Sequence, residues 1–332
     1  MVFKKMLSAL GVGGPSVDTV LTNPNTRPGL VLDGQVNLRG GEAPADIEHI
    51  TLALVTQVEV EAGDREYTGG VEFYRLPVRG AFRLEAKQEL SIPFQLPVPW
   101  ETPITDVYGQ RLRGMVMGLR TELAVARAVD KGDLDPISVH PLPVHERILE
   151  AFAQLGFQFK NADLEQGHIY GVQQTLPFYQ EIEFYAAPQY AHAIREVELT
   201  FVTNPQGVDV VIECDKRGGL FTSGHDVVGR YVVQHADVDR VDWRQQVENW
   251  LNQTVSAYTS HPGFGYGVVP GAPGHHGGHY GGHHGGHHGG HGGVGIGGVI
   301  AGAALGAAGG MIAGELLEEA FEDVFEDAFG ED

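Results

Sequence analysis

Eight histidine side chains lie close together near the C-terminal end of the sequence, separated almost entirely by glycine. Imidazole nitrogens bind Zn, Ni and Cu ions, and a flexible chain with this density of imidazoles chelates such ions without a fixed fold. The tract therefore predicts adventitious zinc or nickel binding, while the rest of the chain requires no cofactor. The alternative is a loose linker, because glycine supplies no rigidity and no thiolate fixes the geometry. The candidate metal ligands are His275, His276, His279, His283, His284, His287, His288 and His291.

The single cysteine, Cys214, is a candidate nucleophile, with His225 or His235 as the neighbouring base that would lower its pKa. It alternates with Val210 and Ile212, however, so the pattern favours a buried structural cysteine on the apolar face of a strand. The sequence contains no Walker A motif, no G-x-S-x-G turn, no H-E-x-x-H helix and no C-x-x-C pair. We therefore predict that the protein is not an enzyme.

Two further pairs of side chains have a spacing that could do chemistry. His140 and His145 are spaced for a metal site, and Asp133 and Asp135 for an acid–base couple. The histidine pair lacks a nearby cysteine or third histidine, and all four residues lie in or beside a stretch with the composition of a loop. Solvated side chains are the simpler interpretation of both pairs.

Composition and charge exclude several classes of function. The chain has 332 residues, of which 42% are apolar, and this length predicts two domains. Forty-three acidic residues against 22 basic residues give a formal charge of -21, so the chain repels phosphate and is a poor nucleic-acid binder. One cysteine cannot form an internal disulfide, and the N-terminal stretch lacks the sustained apolar region of a secretory signal. We expect a cytoplasmic protein.

The first half of the sequence follows the two-residue period of β-strands. Alternation over Ile50–Val60 predicts a long, half-buried strand. Further strands are predicted at Ser16–Thr22, Leu30–Leu38, Val71–Val78 and Arg113–Val129, with turn residues between them. No helical period occurs among these segments, so the first domain is predicted to be an antiparallel β-sandwich.

One predicted strand and one group of arginines are candidate surfaces for a protein partner. Leu90–Val98 alternates like a strand but contains Pro93 and Pro97, which suit an edge strand whose free backbone groups bind an extended peptide. The alternative is that the prolines protect the edge from pairing. The arginines could meet an acidic partner, or could simply form a solvated strand face. The candidate contact residues are Leu90, Ile92, Phe94, Arg111, Arg113 and Arg120.

The second half begins with a helix and continues as strands. The spacing over His145–Leu155 predicts a helix that ends at Gly156. Val208–Cys214 and Val227–Gln234 alternate like strands, and Trp243–Leu251 is spaced for a short closing helix. A stretch rich in Asp, Gly and Pro separates the two halves. The predicted organisation is a β-sandwich at 1–130, a linker at 131–143 and a second β-sandwich at 144–255.

The composition changes again after residue 255. A disordered Gly/His-rich linker is predicted at 256–293, followed by an uncharged Gly/Ala-rich segment at 294–314. Glycine recurs there at every fourth position, a spacing that lets helices pack closely in membranes or in oligomers. Membrane association or self-association through this stripe is one interpretation, and a disordered linker is the other. The stripe consists of Gly298, Gly302, Gly306, Gly310 and Gly314.

The final segment, 315–332, is predicted to be an acidic amphipathic helix. Phe321, Phe325 and Phe329 fall on one side of that helix, as anchors for a groove on a partner or on the protein itself. Its nine carboxylates are unsuited to an anionic lipid surface. Protonation of the eight histidines near pH ~6.5 would nearly balance this charge, so a pH response of the tail is a further hypothesis.

Several stretches of the first 251 residues resemble one protein family. The opening FKKMLSALGVGGPSVDTVL and the following RPGLVLDGQVNLRGGEAPADIEHITLALVTQVE are similar, in order and spacing, to the bacterial sporulation-control family of the stage-zero M type. The similarity continues through ELSIPFQLPVPWETPIT, RTELAVARAVDKGDLDPI, ILEAFAQLGF and VDVVIECDKR. The resemblance implies an arrestin-like fold of two tandem β-sandwich domains, and a regulatory role through protein contacts without a catalytic site.

The sequence thus predicts a mainly β, arrestin-like regulatory scaffold that acts in sporulation, development or cell division by binding proteins. Two alternatives depend on the tail: a zinc- or nickel-binding protein that uses the His tract, and a membrane-tethered, self-assembling protein that uses the glycine stripe. We expect a cytoplasmic location, with membrane association only through the tail.

Overall fold

The computed structural model describes residues 13–62, 65–128, 130–216 and 227–260, and the predicted mainly β class is confirmed. The first half contains β1 (Ser16–Leu21), β2 (Asn25–Thr26), β3 (Val31–Arg39), β4 (Ala45–Ala62), β5 (Arg65–Arg79), β6 (Phe82–Leu84), β7 (Glu89–Pro97), β8 (Asp106–Val107), β9 (Gln110–Arg111), β10 (Met117–Val125), β11 (Lys131–Pro136) and β12 (Ser138–Val139). The second half contains α1 (Pro143–Gln154), β13 (Gln158–Gln166), β14 (Phe178–Tyr185), β15 (Ile194–Thr203), β16 (Gly207–Lys216), β17 (Val227–Gln234), a 3-10 turn (His235–Asp237) and α2 (Trp243–Ser260).

The first unit, residues 16–139, is a β-sandwich. An antiparallel sheet in the order β1-β3-β7 packs against the strands β11-β10-β4, and β5 and β6 also pair with β4. The alternating apolar side chains of β3, β4, β7 and β10 meet between the two layers and exclude water. This core includes Leu32, Val36, Leu52, Leu54, Leu96, Met117 and Leu119.

Strand β4 is more buried than its sequence predicts. Leu52 and Leu54 face the sandwich core, as the alternation indicates. Ala53 and Val55, on the opposite face, are also buried, because Val116 and Leu134 pack over them. The expectation of a half-buried strand is therefore wrong for the middle of β4, which is covered on both sides.

The stretch predicted as a linker, 131–143, contains two strands. β11 pairs with β10 in antiparallel register, with Asp133 opposite Thr121, and β12 pairs in parallel with β2. Both strands therefore belong to the sheets of the first unit, and helix α1 begins at Pro143. The charged, proline-rich composition of this stretch indicated a linker. β11 tolerates such residues because it lies at the edge of its sheet.

The second unit, residues 143–260, places five strands beneath two helices. β13 to β17 pair in sequence order as an antiparallel sheet. α1 ends as predicted, because Gly156 adopts a left-handed backbone with φ +91° directly after the helix. α2 is longer than predicted and ends at Ser260. Both helices pack on one face of the sheet and form a second core, which includes Ile148, Phe152, Phe184, Leu199, Val210, Val247 and Trp250.

The two units share one strand. β4 has eighteen residues, and its first half pairs with β10 inside the sandwich. Thr56 is the last residue of β4 that pairs with β10. Beyond it, β4 pairs in parallel with β13, with Glu59 opposite Glu165. One sheet therefore runs from β11 in the first unit to β17 in the second.

We expect Phe152→Ala to lower the free energy of unfolding by about 3–5 kcal/mol, because the change leaves a cavity in the second core. Phe152 is completely buried and stacks on Phe184 with ring centroids 5.0 Å apart. Phe159→Ala is the matched control, since Phe159 is 41% exposed. Chemical denaturation measures both values, and equal losses for the two variants would contradict this packing.

Candidate functional site

The junction between the units is built from polar side chains that replace backbone partners. The Gln180 side-chain amide accepts a hydrogen bond from the Ile104 N–H (3.0 Å) and donates one to the Ile104 carbonyl (2.8 Å). The Glu101 carboxylate accepts hydrogen bonds from the backbone N–H groups of Thr175 and Leu176 and from the Thr175 hydroxyl. These bonds fix the segment after β7 to the sheet of the second unit.

His145 lies buried at this junction, which corrects the expectation of a solvated side chain. Its ring is 2% exposed and stacks on Phe201 with centroids 4.4 Å apart, and Nε2 lies 3.0 Å from the Thr203 hydroxyl. Burial, with smaller contributions from the nearby His235 and Arg27, lowers the pKa of His145 to about 3. The ring is therefore neutral near pH 7.

A small cavity lies beside His145. Its volume is about 20 Å³, and its walls include Thr102, Gln180 and Thr203. Among the described residues, His145 Nδ1 and the Thr102 hydroxyl are buried without a hydrogen-bond partner. A cavity of this size, with these two polar atoms beside it, accommodates one water molecule and is too small for an organic substrate.

His140 and the aspartate pair also differ from solvated loop residues. His140 pairs with Asp106 through Nδ1, and its Nε2 lies 3.0 Å from the Asn25 side chain, so it joins β8 to β2. Asp133 accepts a hydrogen bond from the Thr19 N–H at 2.6 Å. Burial, together with the nearby charges of Asp133 and Asp18, raises the pKa of Asp135 to about 7.

The outer face of the second sheet, opposite the helices, is strongly acidic. Residues that point toward α1 and α2 along β13 to β16 are mostly apolar, with Gln180 and Thr203 as polar members, and those that point away are mostly carboxylates. We call this surface the acidic face. It consists of Asp163, Glu165, Glu181, Glu183, Glu196, Glu198 and Glu213.

Lys160 neutralises one side of the acidic face. Its ammonium group bonds to Glu183 and, at 2.7 Å, to Glu196. Burial alone would raise the pKa of Glu183, but the hydrogen bonds from Lys160 and Asp163 outweigh it and lower that pKa. Asp163 takes the opposite shift: burial first, and then the contact with Glu183, raise its pKa to about 8.

The carboxylates on the other side of the acidic face repel one another. Burial, followed by the charges of Glu198 and Asp163, raises the pKa of Glu181 to about 9. Carboxylate oxygens of Asp163, Glu165 and Glu181 lie within 4.8 Å of one another, so these three residues could hold a hard cation such as Ca²⁺ or Mg²⁺. Protons compete for the same oxygens, so such binding would strengthen as the pH rises.

Strand β7 is the edge of its sheet, but its predicted contact residues differ in exposure. Leu90 and Ile92 are half-buried, whereas Phe94 is 6% exposed and belongs to the core of the first unit. The Phe94 side chain is therefore not available to a partner, because it faces inward against the backbone of Gly34.

The prolines of β7 remove backbone donors from its outer edge. The register with β3 and the hydrogen bond from Val98 N–H to the Leu30 carbonyl place even-numbered residues toward β3. The odd-numbered Pro93 and Pro97 therefore lie at outward-pointing positions, where they carry no N–H. The structure thus favours the interpretation that these prolines protect the edge.

Two of the three predicted arginines are engaged within the chain. Arg120 pairs with Glu72 at 2.5 Å, and Glu72 also binds Arg75. Arg111 donates a hydrogen bond to the Met115 carbonyl at 3.2 Å, and burial lowers its pKa. Arg113 is exposed.

Cys214 is buried at 1% exposure in the second core, as its alternation predicts. Burial first, and then the charges of Glu213 and Glu198, raise the pKa of its thiol to about 12, so almost no nucleophilic thiolate forms near pH 7. His235 instead bonds to the Asn204 carbonyl through Nε2, at 2.8 Å.

The predicted residues of the tail, together with His225, lie outside the described residues. They are the eight histidines between His275 and His291, the five glycines of the stripe between Gly298 and Gly314, and Phe321, Phe325 and Phe329. In the part of the chain that the structure describes, neither helix combines the length and apolarity needed to cross a bilayer.

The fold and its polar junction define a mainly β protein of the arrestin-like class. The chain matches the SpoOM protein family over residues 3–218 and belongs to that family, as the resemblance predicted. It is 33% identical to the sporulation-control protein spo0M of Bacillus subtilis (strain 168) over 216 residues, which are 65% of this chain and 81% of that protein. The crystal structure of Spo0M from Bacillus subtilis matches with a TM-score of 0.63 and 29% identity, covering 74% of this chain and 100% of that chain.

We expect Glu181→Gln to stabilise the protein at pH 8 by about 1–2 kcal/mol. The folded pKa of Glu181 lies above its unfolded value, so the stability that it contributes is complete below about pH 4.5 and is lost as the pH rises toward 9. A permanently neutral amide removes that loss. Urea denaturation from pH 5 to 9 measures it, with the exposed Glu89→Gln as the control, and an unchanged slope in the variant would contradict the prediction.

The contribution of His145 to stability depends on pH in the opposite direction from that of Glu181. Its folded pKa lies below its unfolded value, so its contribution to stability is complete above about pH 6.5 and falls as the pH drops toward 3. His145→Gln should flatten the loss of stability between pH 6.5 and 4.5 by up to about 1.4 kcal/mol per pH unit. Denaturation curves of the variant and the parent test this, and parallel pH profiles would show that His145 is not buried as a neutral ring.

Proposed function

We propose that the protein is a non-enzymatic regulator of sporulation that acts by binding other proteins. Membership of the SpoOM family carries this proposal, because the matched residues 3–218 include the whole first unit and most of the second sheet. The relative in Bacillus subtilis is named a sporulation-control protein. A cytoplasmic location fits this role and stays part of the proposal.

The local chemistry of the described residues supports a binding role over catalysis. The cavity at the junction has room for one water molecule, and the Cys214 thiol is buried with a raised pKa. The larger features are the acidic face, the sheet edges and an open cavity of about 370 Å³ between α1 and the start of α2, lined by Arg147, Glu150 and Trp243. Surfaces such as the acidic face and the sheet edges recognise proteins through charge and backbone hydrogen bonds.

The proposed regulator requires no cofactor. Zinc or nickel binding by the His tract, and membrane association or self-association through the glycine stripe, stay predictions of the sequence for residues 256–314. These tail activities would add to protein binding by the two units and do not replace it.

Expression of this chain in a Bacillus subtilis strain that lacks its spo0M protein tests the proposal. We expect the count of heat-resistant spores to move toward that of the parent strain. Cys214→Ala should restore the count as well as the unmodified chain, because a scaffold needs no thiol chemistry. Phe152→Ala should restore it less, because the second core is weakened. An unchanged spore count at matched protein levels would argue against the sporulation role, and a loss specific to Cys214→Ala would argue for chemistry.

A further inference from the structure

Strand β17 presents an open edge. Among the described residues it pairs with β16 alone, and it is the last strand of the shared sheet. The hydrogen bond from His235 N–H to the Gln206 carbonyl continues the register in which odd-numbered residues of β17 bond to β16. The backbone N–H and C=O groups of Val228, Arg230 and Val232 therefore point away from the sheet.

The side chains at this edge are apolar and exposed. Val228 is 45% exposed and Val232 is 68% exposed, and both lie on the outer face of the sheet. Between them, Arg230 folds back over the sheet, with its guanidinium 5.8 Å from the centre of the Tyr170 ring and against the backbone of Gly171. An added strand would therefore meet two valines that flank the stem of Arg230.

Beside this edge, three carboxylates outnumber the single guanidinium of Arg230, whose charge acts on Asp209. On β16, Glu213 lies opposite Val228 and Asp209 lies opposite Val232, and Glu198 follows on β15. These residues share the outer face with the valines, so long basic side chains on an added strand can reach them across β17.

The edges at β7 and β1 are less suited to pairing than the edge at β17. The outward donors of β7 are missing at Pro93 and Pro97. On β1, the Thr19 N–H already donates to Asp133. β17 contains no proline, and its exposed residues are β-branched or long, as in strands that accept a partner.

Charge also decides which occupant suits the edge. The C-terminal segment 315–332 carries nine acidic residues and no basic residue, so the acidic residues of β15 and β16 repel it. A second copy brings a formal charge of -21 and is repelled in the same way. A basic segment of another protein is attracted.

We propose that the edge of β17 binds an extended, basic segment of a partner protein, which adds to the second unit as a sixth antiparallel strand. On the outer face of the sheet, the partner segment presents two apolar side chains four positions apart, opposite Val228 and Val232. Lys or Arg side chains beyond these two residues meet Glu213 and Asp209. The inference rests on the proposed function in that it names the partner surface of a protein-binding regulator.

A synthetic peptide provides a direct test with the full chain. The probe is acetyl-Lys-Thr-Val-Thr-Gln-Thr-Val-Thr-Lys-amide, and the controls replace both Lys by Glu or N-methylate the central Gln. Hydrogen exchange followed by mass spectrometry reports protection of residues 227–234. We expect protection by the basic peptide, at least about tenfold weaker binding of both controls, and weakening at high salt. Equal binding of all three peptides would overturn the proposal.

Variants of the edge give a second test. Val232→Pro removes an outward N–H without breaking a bond to β16, whereas Val232→Thr retains that N–H and the β-branched shape. Binding of the basic peptide should fall about tenfold or more in the first variant and stay within about threefold in the second. Retained binding by a folded Val232→Pro variant overturns the proposal. If that variant does not fold, the N-methylated peptide decides the same question on the unmodified chain.

Two outcomes would assign the edge to another occupant and so overturn the proposal. One is a dimer in sedimentation that Val232→Pro dissociates, and the other is stronger binding of the Glu-substituted peptide. The spore count separates this inference from the proposed function. Restored sporulation by Val232→Pro, together with loss of peptide binding, would leave the regulatory role intact and place its partner surface elsewhere.

Discussion

The arrangement of the two units depends on the need to satisfy buried backbone groups at their junction. Gln180 supplies both a donor and an acceptor to Ile104, and Glu101 accepts the N–H groups at residues 175 and 176. A buried backbone N–H or C=O group without a partner lowers the stability of the fold by about as much as a lost hydrogen bond. Side chains therefore make the bonds here that a neighbouring strand would otherwise make. Together with the shared strand β4, these contacts join two cores that would otherwise meet only through loops.

The same packing explains what sequence periodicity could and could not predict. β4, β7, β16 and β17 were predicted because apolar residues recur at every second position along each, although the middle of β4 is buried on both faces, and α1 was predicted because Gly156 marks its end. The buried state of His145 could not be predicted, because Phe201 and Thr203 come from a strand more than fifty residues away. Phe94 alternates like a surface candidate, but only the position of β3 shows that its ring faces inward. The sequence of β17 does contain a signal, namely an alternation without proline. That alternation marks an open edge only because β17 is the last strand of the sheet, which the sequence does not show.

The acidic face concentrates negative charge where the helices do not cover the sheet. Lys160 compensates part of it, and Glu181 and Asp163, whose pKa values are raised by burial and by their neighbours, hold protons that they would lose in water. Removing net charge by a bound cation or by a basic peptide relieves the same repulsion, so binding and stability are coupled at this surface. His145, whose contribution to stability has the opposite pH dependence, is a further titratable group and lies at the junction between the two units.

Because Cys214 is buried in the second core, the reactivity of its thiol reports how often the second unit opens. The sequence contains one sulfhydryl, and that sulfhydryl is enclosed between the second sheet and its helices. A thiol reagent can reach it only through fluctuations that part this layer, so the rate of labelling measures how often the second unit opens. Ligands that bind the native state would slow the labelling in proportion to their affinity, without an engineered probe.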